Sequence, residues 1–404
     1  MKEQRDLLLA PNNPSMKTIK FGLLPRIIVA IALGVALGGV MPEALARTFL
    51  TFNSIFSQLL GFAIPLIIVG LVTPAIADIG RGAGRMLLLT TLLAYGSTLV
   101  AGLASFGVGE AFFPSMLSGQ ITDVATEQVA KLSPFFTIEI PPLMGVMTAL
   151  VLSFMLGLGI AYIEGDVLRR GTKEFGDIVT KFIERVIIPL LPLYIFGIFM
   201  DMTASGEVWR VLVVFAKIIG VIFALHIVWL ILLYSVAGGM AQKNPFKMLV
   251  TMLPAYFTAL GTQSSAATIP VTLAQARKMG VSDEVSGFVI PLCATIHLSG
   301  SMLKIVACAL ALMMMQGLEY DFAMFFGFIC MLGITMIAAP GVPGGAIMAA
   351  LGVLASMLGF SAEDQALMIS LYIAMDSFGT ACNVTGDGAL AVIMDRISKT
   401  SVRI

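Results

Sequence analysis

The stretch AMDSFGTACNVTGDGALAV, Ala374 to Val392, sets two aspartates, an asparagine and two threonines among residues that are otherwise mostly apolar or small. Asp376, Thr380, Asn383 and Asp387 stand 4, 3 and 4 residues apart, which at about 100° per residue lines one face of a helix. An aspartate at the centre of a membrane helix costs about 2.5–3.5 kcal/mol on insertion scales, so two on one stripe need partners or a ligand. Gly386 can loosen the helix beside Asp387 and free backbone carbonyls, and one carboxylate with carbonyl oxygens is the hard anionic shell that Na⁺ prefers. Asp376 is left for another positive group, such as an organic ammonium.

The rest of the chain supports a membrane setting. Of 404 residues, 58% are hydrophobic and 12% charged, with a mean hydropathy of +0.98; a soluble domain has roughly 45–50% and about 25%. The 24 basic residues balance 24 acidic ones, which argues against a nucleic-acid partner. Cys293, Cys308, Cys330 and Cys382 lie in apolar segments without metal-ligand spacing and read as small packing residues.

Apolar runs near 21–40, 48–77, 86–109, 141–163, 184–202, 211–238, 284–315 and 366–394 predict eight spans. The first has no cleavage pattern behind it and reads as a retained helix. Two further apolar segments, 245–272 and 322–362, are interrupted by GTQSSAATIP and AAPGVPGGA and are expected to be re-entrant hairpins. Lys2, Arg5, Lys17, Lys20 and Arg26 precede the first span; Arg81/Arg85, Arg169/Arg170/Lys173 and Lys243/Lys247 recur after every second crossing. The intervening loops carry acids such as Glu110, Asp123 and Glu127. Both termini are therefore expected in the cytoplasm, with Arg396, Lys399 and Arg403 on that side.

The last 160 or so residues hold an inverted repeat. A polar tip at Ser264 and Ser265 precedes a polar helix break, TIHLSGS from Thr295 to Ser301, and a second tip at Gly341 to Gly345 precedes the Asp376–Asp387 stripe. Paired interrupted segments in two halves point to a transporter's substrate site near the midplane. The serine tip offers hydroxyls and N–H groups to an anion, and the Gly/Pro tip allows close approach and a movable lid. His297 and Lys304, seven apart, are titratable groups at membrane depth. They suit either proton coupling or a tethered cation, or internal pairing within the bundle. An ion channel would also explain midplane polar groups, whereas no serine or histidine is spaced with a base as an enzyme would need.

These motifs, in this order and spacing, resemble the dicarboxylate/amino acid:cation symporters, the glutamate and neutral amino acid transporter family. The resemblance is strong from Pro245 to Ile397. It implies an all-α fold of eight transmembrane helices and two re-entrant hairpins, forming homotrimers in the cell inner membrane. The implied organisation is a cytoplasmic segment (1–20), scaffold helices 1–2 (21–83), transport-domain helix 3 (84–112), scaffold helices 4–5 (130–205) and a transport core (206–404) with helix 8 at 364–395. It also implies that the core moves across the scaffold. By matching position, Asp376 with Thr380 resembles the ammonium site, and Asn383 the carboxylate site, completed by Ser264, Ser265 and Val342. Asp387, with carbonyls of Cys293, His297 and Asn383, resembles a first sodium site; Thr295 and Ile337, Ala338 and Ala339 resemble a second. Na⁺ is the implied coupling ion, with no other cofactor.

Three departures bear on specificity and coupling. Gly379 stands where acidic-substrate members carry an arginine, so a side-chain carboxylate lacks its bidentate partner. Dicarboxylate members keep that arginine and lose the aspartate; this chain does the opposite, which favours a neutral amino acid, with added room at Gly379 for a medium or bulky side chain. The break His297-Leu298-Ser299-Gly300-Ser301 lacks the aspartate and asparagine of a third sodium site, and Thr90, Leu93 and Ala94 lack most of its hydroxyls. At most two sodium ions are expected, with His297 or Lys304 able to supply the missing charge. The expectation is a sodium-coupled importer of a neutral amino acid, with proton coupling through His297 as the alternative.

Overall fold

The computed structural model describes residues 22–81, 84–117, 132–339 and 343–401. The segment before residue 22, the acidic loop with Asp123 and Glu127, Val342 and Arg403 lie outside the described residues. Among the described residues the chain is all-helical. Its first part comprises α1 (Leu23–Gly38), α2 (Glu43–Arg81), α3 (Arg85–Leu117), α4 (Val146–Tyr162), α5 (Val167–Phe182), a π-helical turn (Ile183–Ile187) and α6 (Ile188–Ala204). There follow α7 (Val208–Ala241), α8 (Pro245–Thr262), α9 (Ser265–Lys278), α10 (Asp283–Ile296) and α11 (Ser299–Gln316). The chain closes with α12 (Phe322–Ile337), α13 (Gly345–Leu358), α14 (Ala362–Ala374) and α15 (Asp376–Ser401).

By length and composition, 5 described helical segments can cross a membrane: α2, α3, the α5–α6 rod, α7 and the α10–α11 pair. The α14–α15 pair qualifies as a sixth when taken as one span, although it bends by 63° at Met375. Helices α1, α4, α12 and α13 are apolar but shorter. Two differences from the spans read in the sequence change the layout of the helices. The fifth segment begins at Val167, ahead of the apolar run, because VLRRGTKEFGDIVTKF is amphipathic and enters helix on one apolar face. The last segment is two helices, so Asp376 opens a helix where the sequence suggested the interior of one.

Local chemistry sets the breaks. Asn244 caps α8 by accepting from Lys247 N at 3.0 Å, and Pro245 occupies the first turn. Gln263, at φ 54°, ends α8, and Ser264 caps α9 by accepting from Ala267 N at 3.2 Å. Asp321 caps α12, and Ser361 with Asp364 forms a capping box at α14. Gly344, at φ 76°, starts α13 in the left-handed region that glycine tolerates.

Helix α1 packs on α6, and α2 on α4 and α5; α15 packs on α7, α8, α9, α10 and α11, while α3 lies against α11 and α12. The polar stripe of α15 is thereby enclosed by the helix pairs α8–α9 and α10–α11 and the start of α13. The α2–α4 seam depends on small residues, as packing between membrane helices does. A Cβ at Gly157 would lie 2.7 Å from Ile76 Cβ and 2.9 Å from the Thr73 carbonyl, whereas one at Gly159 meets nothing within 4 Å. Gly157→Ala is expected to lower the thermal unfolding midpoint in detergent by the equivalent of about 1–3 kcal/mol. Gly159→Ala should leave the midpoint unchanged or slightly raised; equal midpoints for the two variants would contradict this packing.

Candidate functional site

Both interrupted segments converge on the first turn of α15. From the first, Gln263 Nε2 donates to Ser377 Oγ at 2.9 Å. From the second, Gly344 N donates to Asp376 Oδ2 at 2.8 Å. Between them lies a cavity of about 70 Å³. Of the residues expected at a substrate site, Ser265, Asp376, Thr380 and Asn383 line it, joined by Thr295 and Ala339. Sequence reasoning missed Gln263, Ser301 and Tyr372 in the same wall; the first looked like part of a flexible tip and the last like a core aromatic.

Asp376 is 5% exposed, and its other oxygen, Oδ1, lies 3.4 Å from Lys304 Nζ. The bend at Met375 makes this arrangement possible. It places Asp376 at the start of α15, where the helix dipole favours an anion, and leaves the Met375 carbonyl at the end of α14, where it favours a cation. Lys304 Nζ is 3.4 Å from that carbonyl and 3.6 Å from the centroid of the Tyr372 ring. Gly379 is turned away from the cavity toward this lysine. A Cβ there would collide with Lys304 Cε and Nζ, so the room expected at Gly379 for a larger substrate side chain is taken up by Lys304.

Asn383 has a second task besides lining the cavity. Its Oδ1 accepts from Gly300 N at 2.8 Å and Ser301 N at 3.3 Å, and its Nδ2 donates to Ser301 Oγ at 3.1 Å. It thereby caps α11 from another helix, satisfying donors exposed by the break at His297 and Leu298. Ser301 Oγ is also within 2.9 Å of Tyr372 OH. Ser264 serves as the cap of α9, beside the cavity-lining Ser265.

Asp387, 1% exposed, forms a second centre along α15. Its Oδ1 lies 2.9 Å from His297 Nδ1, and His297 Nε2 lies 3.0 Å from Ser97 Oγ. His297 and Lys304, expected on one helix face, thus address different carboxylates, because the break between α10 and α11 reorients the histidine. Ser97, one turn beyond Ala94 on α3, is a hydroxyl that the sequence does not single out. The Cys293 carbonyl accepts from His297 N at 2.8 Å. Ile337 and Ala338 border an apolar crevice with α2 and α3, while Ala339 alone of that trio reaches the cavity.

The arrangement holds one carboxylate at a cavity between two tips and a second, fully buried, beside broken helix ends. Such a site can bind a small molecule bearing an ammonium and a carboxylate, and a cation can be seated near it. A model of the sodium:dicarboxylate symporter family matches residues 23–397, so the chain belongs to that family and is a multi-pass membrane protein of the symporter class. The whole site lies inside the match. Asn383→Ala is expected to lower thermal stability by about 1–2 kcal/mol even without substrate, as loss of a helix cap does, read as the unfolding midpoint in detergent; an unchanged midpoint would show that the cap is dispensable.

Proposed function

We propose that this member of the sodium:dicarboxylate symporter family imports a small neutral amino acid coupled to Na⁺. The observation that carries the reading is Asp376: it is the carboxylate that lines the cavity between the two tips, and no arginine stands with it among the described residues of that lining. Asp376 with Thr380 receives the substrate ammonium. Ser265 and the N-terminal end of α9 receive its carboxylate, supported by the dipole at that helix start. The cavity is small, about 70 Å³, and Lys304 fills the room beside Gly379, which favours a small side chain.

Sodium is bound as cargo. Asp387 with carbonyls of Cys293, His297 and Asn383 forms the first seat; Thr295 and the C-terminal carbonyls of α12 at Ile337, Ala338 and Ala339 form the second, which the α12–α13 hairpin closes. In this reading the chain has eight spans and two re-entrant hairpins, both termini are cytoplasmic, and the protein is a homotrimer in the inner membrane. Helices α3 and α7–α15 move as a unit across a scaffold of α1, α2 and α4–α6; the packing of α3 on α11 and of α7 on α15 supports that division.

A second reading is symport driven by protons, favoured by the Ser97–His297–Asp387 chain of hydrogen bonds. There Asp387 pairs with an imidazole, the side chain suited to carrying a proton near neutral pH, and is not a sodium ligand.

Thermal unfolding of the purified protein against a panel of amino acids, in Na⁺ and in choline, tests the first reading. A ligand at 100 times its Kd stabilises by about 2.7 kcal/mol; that shift is expected for a small neutral amino acid in Na⁺ only, and is lost in Asp376→Asn. Asp387→Asn should remove the sodium dependence. A response only to glutamate or succinate would overturn the reading of Gly379. Uptake into liposomes driven by a pH gradient, indifferent to Na⁺ and abolished in His297→Asn, would favour protons.

A further inference from the structure

Lys304 is 0% exposed and sits among hydrophobic neighbours in α11. A buried ammonium is costly unless paired and hydrogen-bonded, and an apolar side chain of similar volume would usually pack there at less cost. The chain nevertheless accommodates it in detail. Asp376 Oδ1 and the Met375 carbonyl each lie 3.4 Å from Nζ, the Tyr372 ring lies below it at 3.6 Å, and Gly379 leaves the space its Cε and Nζ fill. A side chain at 379 would push the end of this lysine out of its present place.

We propose that Lys304 is a resident counter-cation for Asp376, which keeps the site neutral when the carrier crosses the membrane without substrate. The inference rests on the reading of Asp376 as the ammonium site. The charges decide its consequence. Asp376 and Lys304 sum to zero, and adding a zwitterionic amino acid leaves the sum at zero. The substrate site therefore carries the same charge with and without a neutral amino acid, and the return of the unloaded site needs no counter-transported cation to balance Asp376. The exchange is mechanically simple: the lysine stem is flexible, and its 3.4 Å contact with Oδ1 is long for a charge-assisted bond, so a substrate ammonium can displace it. Ser301, one turn earlier on α11, lines the cavity, which gives the released ammonium a path toward the substrate carboxylate.

The test separates exchange, in which the carrier is loaded in both directions, from net uptake, which requires unloaded return. With external Na⁺ and labelled L-serine or L-alanine, wild-type protein in liposomes is expected to perform exchange when Na⁺ and unlabelled amino acid are inside, and net uptake when N-methyl-D-glucamine is the sole internal cation. Lys304→Met should retain exchange, while net uptake falls at least about tenfold because Asp376 then returns unpaired; internal methylammonium should restore it. An unchanged ratio of net uptake to exchange in Lys304→Met would overturn the role of Lys304 alone. So would a strict requirement of the wild type for a small internal cation, a measurement that needs no variant. Failure of the wild type to exchange any neutral amino acid would overturn the reading of Asp376, and this inference with it.

Discussion

Two carboxylates on α15 have to be held inside a structure whose surroundings are hydrocarbon and packed apolar side chains. Isolated, each would be too costly to keep ionised. The fold answers with donors recruited from distant parts of the chain: Gly344 N and Lys304 for Asp376, His297 for Asp387. Most of what is irregular in the last 160 or so residues serves this requirement. The break between α10 and α11 turns His297 toward Asp387, the bend at Met375 puts Asp376 at a helix start, and the glycine at the start of α13 delivers a backbone N–H to its second oxygen.

Interrupted helices are tolerated at membrane depth only where their freed backbone groups are satisfied. Here one side chain does much of that work: Asn383 accepts from two N–H groups of α11 while its neighbours on the same stripe face the cavity. The side chain that forms part of a candidate binding wall is also a structural cap. Gly344, before α13, is tied to Asp376, and Gln263, at the α8–α9 tip, is tied to the adjacent Ser377. The two tips are therefore mechanically linked through the first turn of one helix.

The sequence was most legible where the pattern is local. The polar stripe of α15, the small-residue interruptions and the start of α8 behind Asn244 and Pro245 follow from helical periodicity and capping chemistry. Less was legible where a partner comes from far along the chain. Lys304 and Asp376 are separated by 72 residues, Ser97 and His297 by 200, and periodicity cannot say which faces meet. Gly379 shows the limit best. Read alone it signified an absent arginine and added room; only its apposition to Lys304 reveals that the space is filled and that a cation stands close to the cavity wall. The polar α5 escaped a reading based on hydropathy because its membership in a long helix depends on one apolar face, and the bend at Met375 has no proline or glycine beside it to announce it.

The two centres differ in how readily their partners can leave. The imidazole of His297 is held at both nitrogens, by Asp387 at 2.9 Å and Ser97 at 3.0 Å, and its backbone N–H is fixed on Cys293. Rotating the ring away breaks two bonds at once inside a packed interior. The ammonium of Lys304 is held by longer contacts at the end of a flexible stem, beside a cavity that can admit a competing cation. Exchange of partners is therefore easier at Asp376 than at Asp387. The proposed cycle uses that asymmetry: in it the carboxylate facing the cavity gives up its internal partner, while the deeper one keeps its geometry so that a coupling ion or proton finds the same site each time.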